Sequence, residues 1–219
     1  MASRSDESKT APEAPKLPPD LPSLPLPAHI PSEETYRRGI LSDGSIEDQS
    51  ARRVAFDEIV FRGVAFARNA FEHLELTDVV FDKCDLSNAD FSRVNVHRAV
   101  FRDCKIMGLD LSEATLRNVL FERCAGDYAN FRFADMKRVA FEDCAIRESD
   151  FYDAQFDKVA FRRSDLDRAQ LSGTKLAGVD LSDCEFVQLG VEADNLRGCI
   201  ISAGQAAVFA NLFGLIIKD

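Results

Sequence analysis

Residues 80–101 read VFDKCDLSNADFSRVNVHRAVF, with a large apolar residue at every fifth position. The same step of five runs without insertion from Phe56 to Ile201, and among these thirty positions only Gly126 is not a large apolar residue. The residue two before each of them is mostly Ala, Val, Cys, Leu or Ser, and the other three of every five are mainly polar. A period of five fits neither an α-helix, a strand nor a heptad repeat. The chain is therefore built from five-residue repeats.

A second period, of twenty residues, is superimposed on the period of five. One column of positions is filled by Phe at this step: Phe61, Phe81, Phe101, Phe121, Phe141 and Phe161. Another is filled by Cys, with Ser164 in one place: Cys84, Cys104, Cys124, Cys144 and Cys184. These recurrences predict that equivalent side chains stack on one another, at the strand-pairing distance of about 4.8 Å.

The five-residue unit resembles that of the pentapeptide-repeat family, in which a small residue, Asp or Asn, and Leu or Phe are followed by two further residues. Clear copies of the unit are Ala89-Asp90-Phe91-Ser92-Arg93, Ala129-Asn130-Phe131 and Ser164-Asp165-Leu166-Asp167-Arg168. The resemblance covers residues 51–201. It implies an all-β fold, a right-handed quadrilateral β-helix with four short sides and twenty residues per coil. We assign the β-helix to residues 39–201.

The N-terminal region differs from the repeats. All 8 Pro lie within residues 1–31. Because Pro at this density excludes helix and paired strand, we predict a disordered Pro-rich arm over residues 1–38. A solvated tail and a docking segment are both compatible with the arm, since Leu24 to Pro27 alternates Leu and Pro as polyproline ligands do.

Residues 202–219 are predicted to form a short capping or dimerisation helix followed by a short strand. Ser202 and Gln205 have the spacing of a capping box, Gly214 is placed to end the helix, and residues 215–217 form the strand. Six apolar side chains of this segment are expected to plug the last coil or to pair in a two-fold dimer: Val208, Phe209, Leu212, Phe213, Leu215 and Ile216.

No motif in the sequence indicates catalysis. The Cys column has neither a Cys-x-x-Cys spacing nor a His, so small buried fillers are favoured over a metal or redox site. His29 lies in the arm, and His73 and His97 fall at outward positions of the repeat. No glycine-rich phosphate loop is present. We expect no catalytic residue, no metal and no cofactor.

An apolar stripe is predicted on the outside of the rod, at the position just before the Phe column. The family motif prefers Asp or Asn there, whereas this sequence has Val60, Val80, Val100 and Leu120, followed by Ala140 and Ala160. Exposed stripes of this length usually mark a contact. We expect the stripe to receive either a partner protein or the chain's own Leu/Pro arm.

The net charge of −10 favours a protein partner over direct contact with nucleic acid. The N-terminus has no basic start followed by an apolar run, and no apolar stretch approaches the ~20 residues that span a bilayer. We therefore expect a cytoplasmic protein that does not contact membranes.

The C-terminal sequence is similar to the ending of the quinolone-resistance pentapeptide proteins. The residues that carry this similarity are Leu196-Arg197-Gly198-Cys199, Gln205-Ala206-Ala207 and Leu212-Phe213-Gly214-Leu215-Ile216. The resemblance implies a homodimer joined at the C-terminus and an acidic rod that mimics DNA. Such a rod binds a type II topoisomerase, DNA gyrase or topoisomerase IV, and modulates quinolone sensitivity.

Within this hypothesis the candidate DNA-mimicking acids are Asp90, Asp110 and Asp150, which form one column with Asn130. Many proteins of that branch carry loops thrown out from the coils, and this chain has none. The alternative is a structural or scaffolding solenoid with an unidentified protein partner.

Overall fold

The computed structural model describes residues 11–216. The chain winds into a parallel β-solenoid of about seven coils of ~20 residues, closed at its C-terminal end by one short α-helix. The predicted right-handed, four-sided β-helix is confirmed.

Two parallel sheets follow the coils. The larger sheet has eight strands in chain order: β1 (Ser23–Leu24), β2 (Thr35–Glu47), β4 (Ala55–Ala67), β6 (Glu75–Asp82), β7 (Asn95–Arg102), β8 (Thr115–Glu122), β9 (Asp135–Glu142) and β10 (Gln155–Arg162). The smaller sheet joins β3 (Ser50–Arg52) to β5 (Ala70–Glu72). From β2 onward each strand pairs with the residues twenty positions further along, as Phe81 pairs with Phe101.

A residue with positive φ turns the chain at each corner. It lies two residues after the central apolar residue of a side, as at Asp78 (φ 54°) and Lys83 (φ 55°). This left-handed conformation recurs every five residues, which divides a coil into four sides. We name the four faces of the rod after their central residues, in chain order: the Phe56, Phe61, Phe66 and Phe71 faces. The Phe71 face is opposite the Phe61 face.

The Phe column forms the axis of the core. The rings of Phe81, Phe101, Phe121 and Phe141 stack with centroids 4.6–4.7 Å apart and interplanar angles of 13° or less. Phe131 meets Phe121 edge-on from the opposite face, with centroids 5.9 Å apart. Since burying one Phe contributes about 2–3 kcal/mol, these columns dominate the stability of the rod.

Ion pairs line the outside of the rod. Most of those in the described residues join a base to an acid twenty positions away, one coil above or below. Examples are Arg38–Glu58, Arg123–Asp103 and Arg163–Asp143. The hydrogen bond from Arg123 holds the pKa of Asp103 below its ordinary value. Such exposed pairs stabilise the fold by only about 0–1 kcal/mol each, but each one neutralises an acid locally.

The prediction of a disordered arm over residues 1–38 is corrected for the residues that the structure describes. Ile30 is fully buried, and the backbone N–H of Glu33 donates to the carbonyl of Arg52, so the solenoid begins near Ile30 and not at residue 39. Upstream, β1 extends the large sheet by pairing with β2. Proline excludes a helix, but an extended Pro-rich chain can still lie against a sheet edge.

The C-terminal cap is shorter than predicted and has no strand in its described part. A 3₁₀ turn (Ala203–Gln205), α1 (Ala206–Ala210) and a second 3₁₀ turn (Asn211–Phe213) follow one another. Residues 215 and 216 are not in a strand, and residue 217 lies outside the described residues. The physical reason is that the Leu215 N–H donates to the Ala210 carbonyl and closes the helical segment, so this donor is not available to a strand.

Gln205 holds the cap in place with both atoms of its side-chain amide. Its Oε1 accepts the backbone N–H of Ser202, one half of the predicted capping box, while its Nε2 donates to the last coil. This arrangement fixes α1 over the open end of the core, where Phe209 is buried against Phe186.

Candidate functional site

The Cys column is part of the core. All six cysteines are free, and the five of the column are buried. Each thiol from Cys84 to Cys144 donates to a backbone carbonyl, as the Cys124 Sγ does to Phe101 O over 3.3 Å. Ser164, which replaces Cys in the column, donates to the equivalent carbonyl of Phe141. Burial raises the pKa of the Cys184 thiol to about 12. The thiols therefore act as small core side chains that donate hydrogen bonds to backbone carbonyls.

The column of candidate DNA-mimicking acids forms turns in the backbone. The Oδ1 atoms of Asp90, Asp110 and Asp150 each accept the backbone N–H two residues further on, over 2.8–2.9 Å. Asn130 donates to Asp110, and Arg132 donates to Asp150. The structure does bring these side chains into one column along the rod. Because two of the three also meet a donor from the next coil, only part of their charge faces outward.

The predicted apolar stripe is covered. Val60 and Val100 are 9% and 7% exposed, Ala140 is 2% exposed, and Val80 and Leu120 are half-buried. These side chains belong to the outward position of the Phe61 face. The stripe is therefore not a free partner surface in this structure.

The N-terminal segment lies over the stripe. The backbone N–H of Lys16 donates to Asp78 Oδ1 over 2.7 Å, and that of Glu13 donates to Asn118 Oδ1 over 3.2 Å. Asp78 and Asn118 stand at the corner beside the stripe, two coils apart. The Glu13 carboxylate also pairs with Arg138 at 3.2 Å. We call residues 11–22 the strap.

Asp78 is held by the most deeply buried ion pair of the described residues. Its carboxylate accepts the Nε and Nη2 hydrogens of Arg98 over 2.6 and 2.7 Å. Burial by itself would raise the pKa of Asp78, but the hydrogen bonds from Arg98 and from the Lys16 backbone, together with the charge of Arg98, hold that pKa below its ordinary value. Asp78 is therefore an ionised acceptor with a fixed position under the strap.

A group of aromatic side chains stands exposed on the side of the rod away from the strap. Tyr128, Phe133 and Tyr152 are 57%, 47% and 37% exposed. The Phe133 and Tyr152 rings meet edge-on at 5.7 Å, and the Arg132 guanidinium lies 4.6 Å from the Tyr152 centroid. We call these four residues the aromatic patch. Sequence reasoning missed the patch, although aromatic residues at outward repeat positions were a readable signal.

The patch is held in a defined shape by its neighbours. Arg132 is fixed from below by Asp150, 2.8 Å away, and Tyr128 donates to the Glu148 carboxylate over 3.2 Å. Aromatic and Arg side chains dominate the binding energy of protein interfaces, and an anchored side chain loses less entropy when a partner arrives. The arrangement fits binding to a protein surface.

The C-terminal apolar residues fall into two groups. Val208 and Phe209 pack on the core and plug the last coil. The other four are exposed: Leu212, Phe213, Leu215 and Ile216. Beside them, residues 176–196 contain five acidic side chains and no basic one.

Within residues 11–216, no group of three or more His, Cys, Asp or Glu side chains is placed to hold a metal ion. In the same part of the chain, no helix has the length and apolar character needed to cross a bilayer.

Comparison with known families identifies the repeats. A profile described as "Pentapeptide repeat region" matches residues 74–151 and 121–171, and one described as "Pentapeptide repeats (8 copies)" matches residues 164–188. The uncharacterized protein YisX of Bacillus subtilis (strain 168) is 37% identical over 110 residues, which make up 50% of this chain and 52% of that protein. The chain thus matches about half the length of this relative.

Solved structures share the fold. A trypsin-treated variant of QnrB1, a plasmid-mediated fluoroquinolone resistance protein, superposes with a TM-score of 0.51 at 17% identity, covering 85% of this chain and 99% of that one. HetL from Nostoc sp. strain PCC 7120, a pentapeptide repeat protein involved in the regulation of heterocyst differentiation, gives a TM-score of 0.48 at 16% identity, with 79% and 91% of the two chains covered. At such low identity the likeness to QnrB1 shows the fold alone.

Proposed function

Because the chain belongs to the pentapeptide-repeat family, we propose that it is a non-enzymatic, protein-binding solenoid whose partner docks on the aromatic patch. The observation that carries this proposal is the exposure of Tyr128, Phe133 and Tyr152 in one cluster around Arg132. The rod supplies rigidity, and the patch supplies the anchors.

The chemistry of the partner follows from the surroundings of the patch. Asp150 pairs with Arg132 and Glu148 accepts from Tyr128, so the rings are bordered by carboxylate oxygens. A matching protein surface offers an apolar pocket for Phe133 and Tyr152 with basic side chains at its rim.

The first experiment compares proteins retained from a lysate of the source cells by the wild-type chain and by the Phe133→Ala/Tyr152→Ala double variant. We expect a partner that the wild type retains and the double variant loses, because truncating two hot-spot aromatics should weaken binding by about 100-fold. Val187→Ala, an exposed apolar position outside the patch, serves as the matched control and should retain the partner. Equal retention by all three chains contradicts the proposal.

A second candidate function is binding to a type II topoisomerase as an acidic DNA mimic. Four acids within residues 176–196 that have no ion-pair partner among the described residues, Asp180, Asp183, Glu185 and Glu192, support it together with the C-terminal similarity to quinolone-resistance proteins. In this version the candidate acids shift from Asp110 and Asp150, each of which also accepts a hydrogen bond from the next coil, to the coils next to the cap.

Supercoiling by purified DNA gyrase tests the second candidate. We expect micromolar wild-type chain to inhibit supercoiling or to relieve its inhibition by a quinolone, and we expect the effect to weaken as salt rises, because it replaces DNA phosphates with carboxylates. Asp180→Asn/Asp183→Asn should reduce the effect, and Asp110→Asn, at an acid that already accepts from Ser112 and Asn130, should leave it unchanged. No effect at micromolar protein contradicts the topoisomerase role and leaves the patch proposal standing.

We also propose that the chain is a homodimer joined at its C-terminus. Four exposed apolar side chains in a segment of five residues, Leu212 to Ile216, support this proposal, because monomeric proteins rarely leave such a segment in water. A two-fold axis beside α1 would bury the same side chains from both copies.

A further inference from the structure

Every third residue of the strap, and of the segment that follows it as far as Ile30, is covered by the rod. From residue 12 to residue 30, the residues at this step are all half-buried or buried: Pro12, Pro15, Pro18, Leu21, Leu24, Pro27 and Ile30. Between them only Leu17 and Leu26 are half-buried, and the rest are exposed. A period of three is that of the polyproline II helix, which presents one residue per turn to a surface it lies on.

The pitch of such a helix matches the spacing of the coils. Three polyproline II residues advance by about 9.3 Å, and two coils of the solenoid advance by about 9.6 Å. The hydrogen bonds follow this match, because Lys16 bonds to Asp78 and Glu13, three residues earlier, bonds to Asn118, two coils later. The strap and the rod are therefore in register.

The groove under the strap is built from the solenoid alone. Its floor is the apolar stripe, and its edge carries two buried polar acceptors, Asp78 and Asn118, which are 6% and 7% exposed. Both accept main-chain N–H groups, so they bind a backbone of the right pitch whatever its exposed side chains are. Arg98 fixes one of the two acceptors from the rod itself.

We propose that this groove is a binding site for polyproline II segments with Pro or Leu at every third residue, and that the strap occupies it in cis until a matching segment of a partner protein displaces it. The occupant is identified by the strap's own pattern, which is the one sequence seen to fit the groove. This activity goes beyond docking at the aromatic patch, which faces away from the strap.

The test uses a labelled peptide of residues 11–22, APEAPKLPPDLP, and a full-length chain carrying Pro12→Asp, Pro15→Asp and Pro18→Asp, which releases the strap. We expect the peptide to bind this released chain in fluorescence anisotropy. Binding to the wild type should be at least about tenfold weaker, because the tethered strap competes at a millimolar effective concentration. A peptide of the same composition with its prolines moved off the three-residue step should not bind. Adding Asn118→Ala should weaken binding several-fold, since one hydrogen bond is lost.

The absence of saturable binding to a released chain with wild-type circular dichroism, or equal binding of the two peptides, overturns the proposal. A second readout needs no variant of the chain, because trypsin cleaves after Lys16 only when the strap leaves the groove. The unlabelled peptide, with Gln in place of its Lys, should accelerate this cleavage in the wild type, and the rearranged peptide should not. The released chain should still retain the partner of the aromatic patch. If it does so but does not bind the peptide, the groove proposal fails while the proposed function stands.

Discussion

Phe121→Ala is expected to lower the free energy of unfolding by about 4 kcal/mol. The Phe121 ring is fully buried and is stacked between Phe101 and Phe141, with centroids 4.7 Å away on each side. The backbone ladders fix the spacing of the coils, so the neighbouring rings cannot close the cavity that Ala leaves. Each coil depends on its neighbours, and a defect at this central position weakens the rod in both directions.

Guanidinium unfolding followed by far-ultraviolet circular dichroism measures this change, since the chain has no Trp. Phe133→Ala is the matched control, because its ring is exposed and its loss should change the free energy of unfolding by no more than about 0.5 kcal/mol. Equal destabilisation by the two substitutions contradicts the account of the core. The same measurement on Phe133→Ala/Tyr152→Ala verifies that the patch variant is folded.

Phe213→Asp is expected to convert a dimer into a monomer, with a rise in the dissociation constant of at least about 100-fold, equivalent to about 2.7 kcal/mol. Phe213 is 66% exposed in the single chain, so its apolar surface is available for burial against a second copy. In a two-fold interface each substitution occurs twice, and an Asp buried there has no partner base.

Analytical ultracentrifugation should give twice the 24.4 kDa chain mass for the wild type and the single chain mass for Phe213→Asp. Met107→Asp places the same charge on an exposed side chain far from the cap, and should remain dimeric. A monomeric wild type at tens of micromolar, or a dimeric Phe213→Asp, contradicts the proposed interface.

The core of this fold could be predicted from the sequence because both of its periods, five and twenty residues, are visible as recurring residue types. The step of five identifies the inward side chains, and the step of twenty identifies which of them stack, as Phe101 does on Phe121. The ion pairs obey the same step, and Arg38 with Glu58 could have been read as neighbours in the same way. Because these ion pairs neutralise acids on the surface, the net charge is a weaker argument for DNA mimicry.

The sequence predicted the docking of the Leu/Pro arm on the stripe only as one of two alternatives, because Pro density was taken as evidence against an ordered arm. A high density of Pro excludes a helix and a fully paired β-strand, but it does not exclude a polyproline II segment that lies on a surface. The informative signal was the three-residue spacing of Pro12, Pro15 and Pro18. The pitch of the apolar stripe follows from the coil spacing of about 4.8 Å that the repeat already predicts. The structure adds the two hydrogen bonds that place the strap on it.

The C-terminal strand was predicted for the apolar run after Gly214, and such a run does not reveal that the Leu215 N–H already bonds the Ala210 carbonyl. The aromatic residues of the patch could be placed at outward positions from the sequence. Their exposure could not, since it depends on neighbours on adjacent coils.

The binding function is tested most directly by the dissociation constant of the purified partner for the wild-type chain and for Phe133→Ala/Tyr152→Ala. The account predicts that the double variant weakens binding by about 100-fold while its unfolding midpoint stays near that of the wild type. An unchanged dissociation constant would contradict the claim that the aromatic patch is where this solenoid binds its partner.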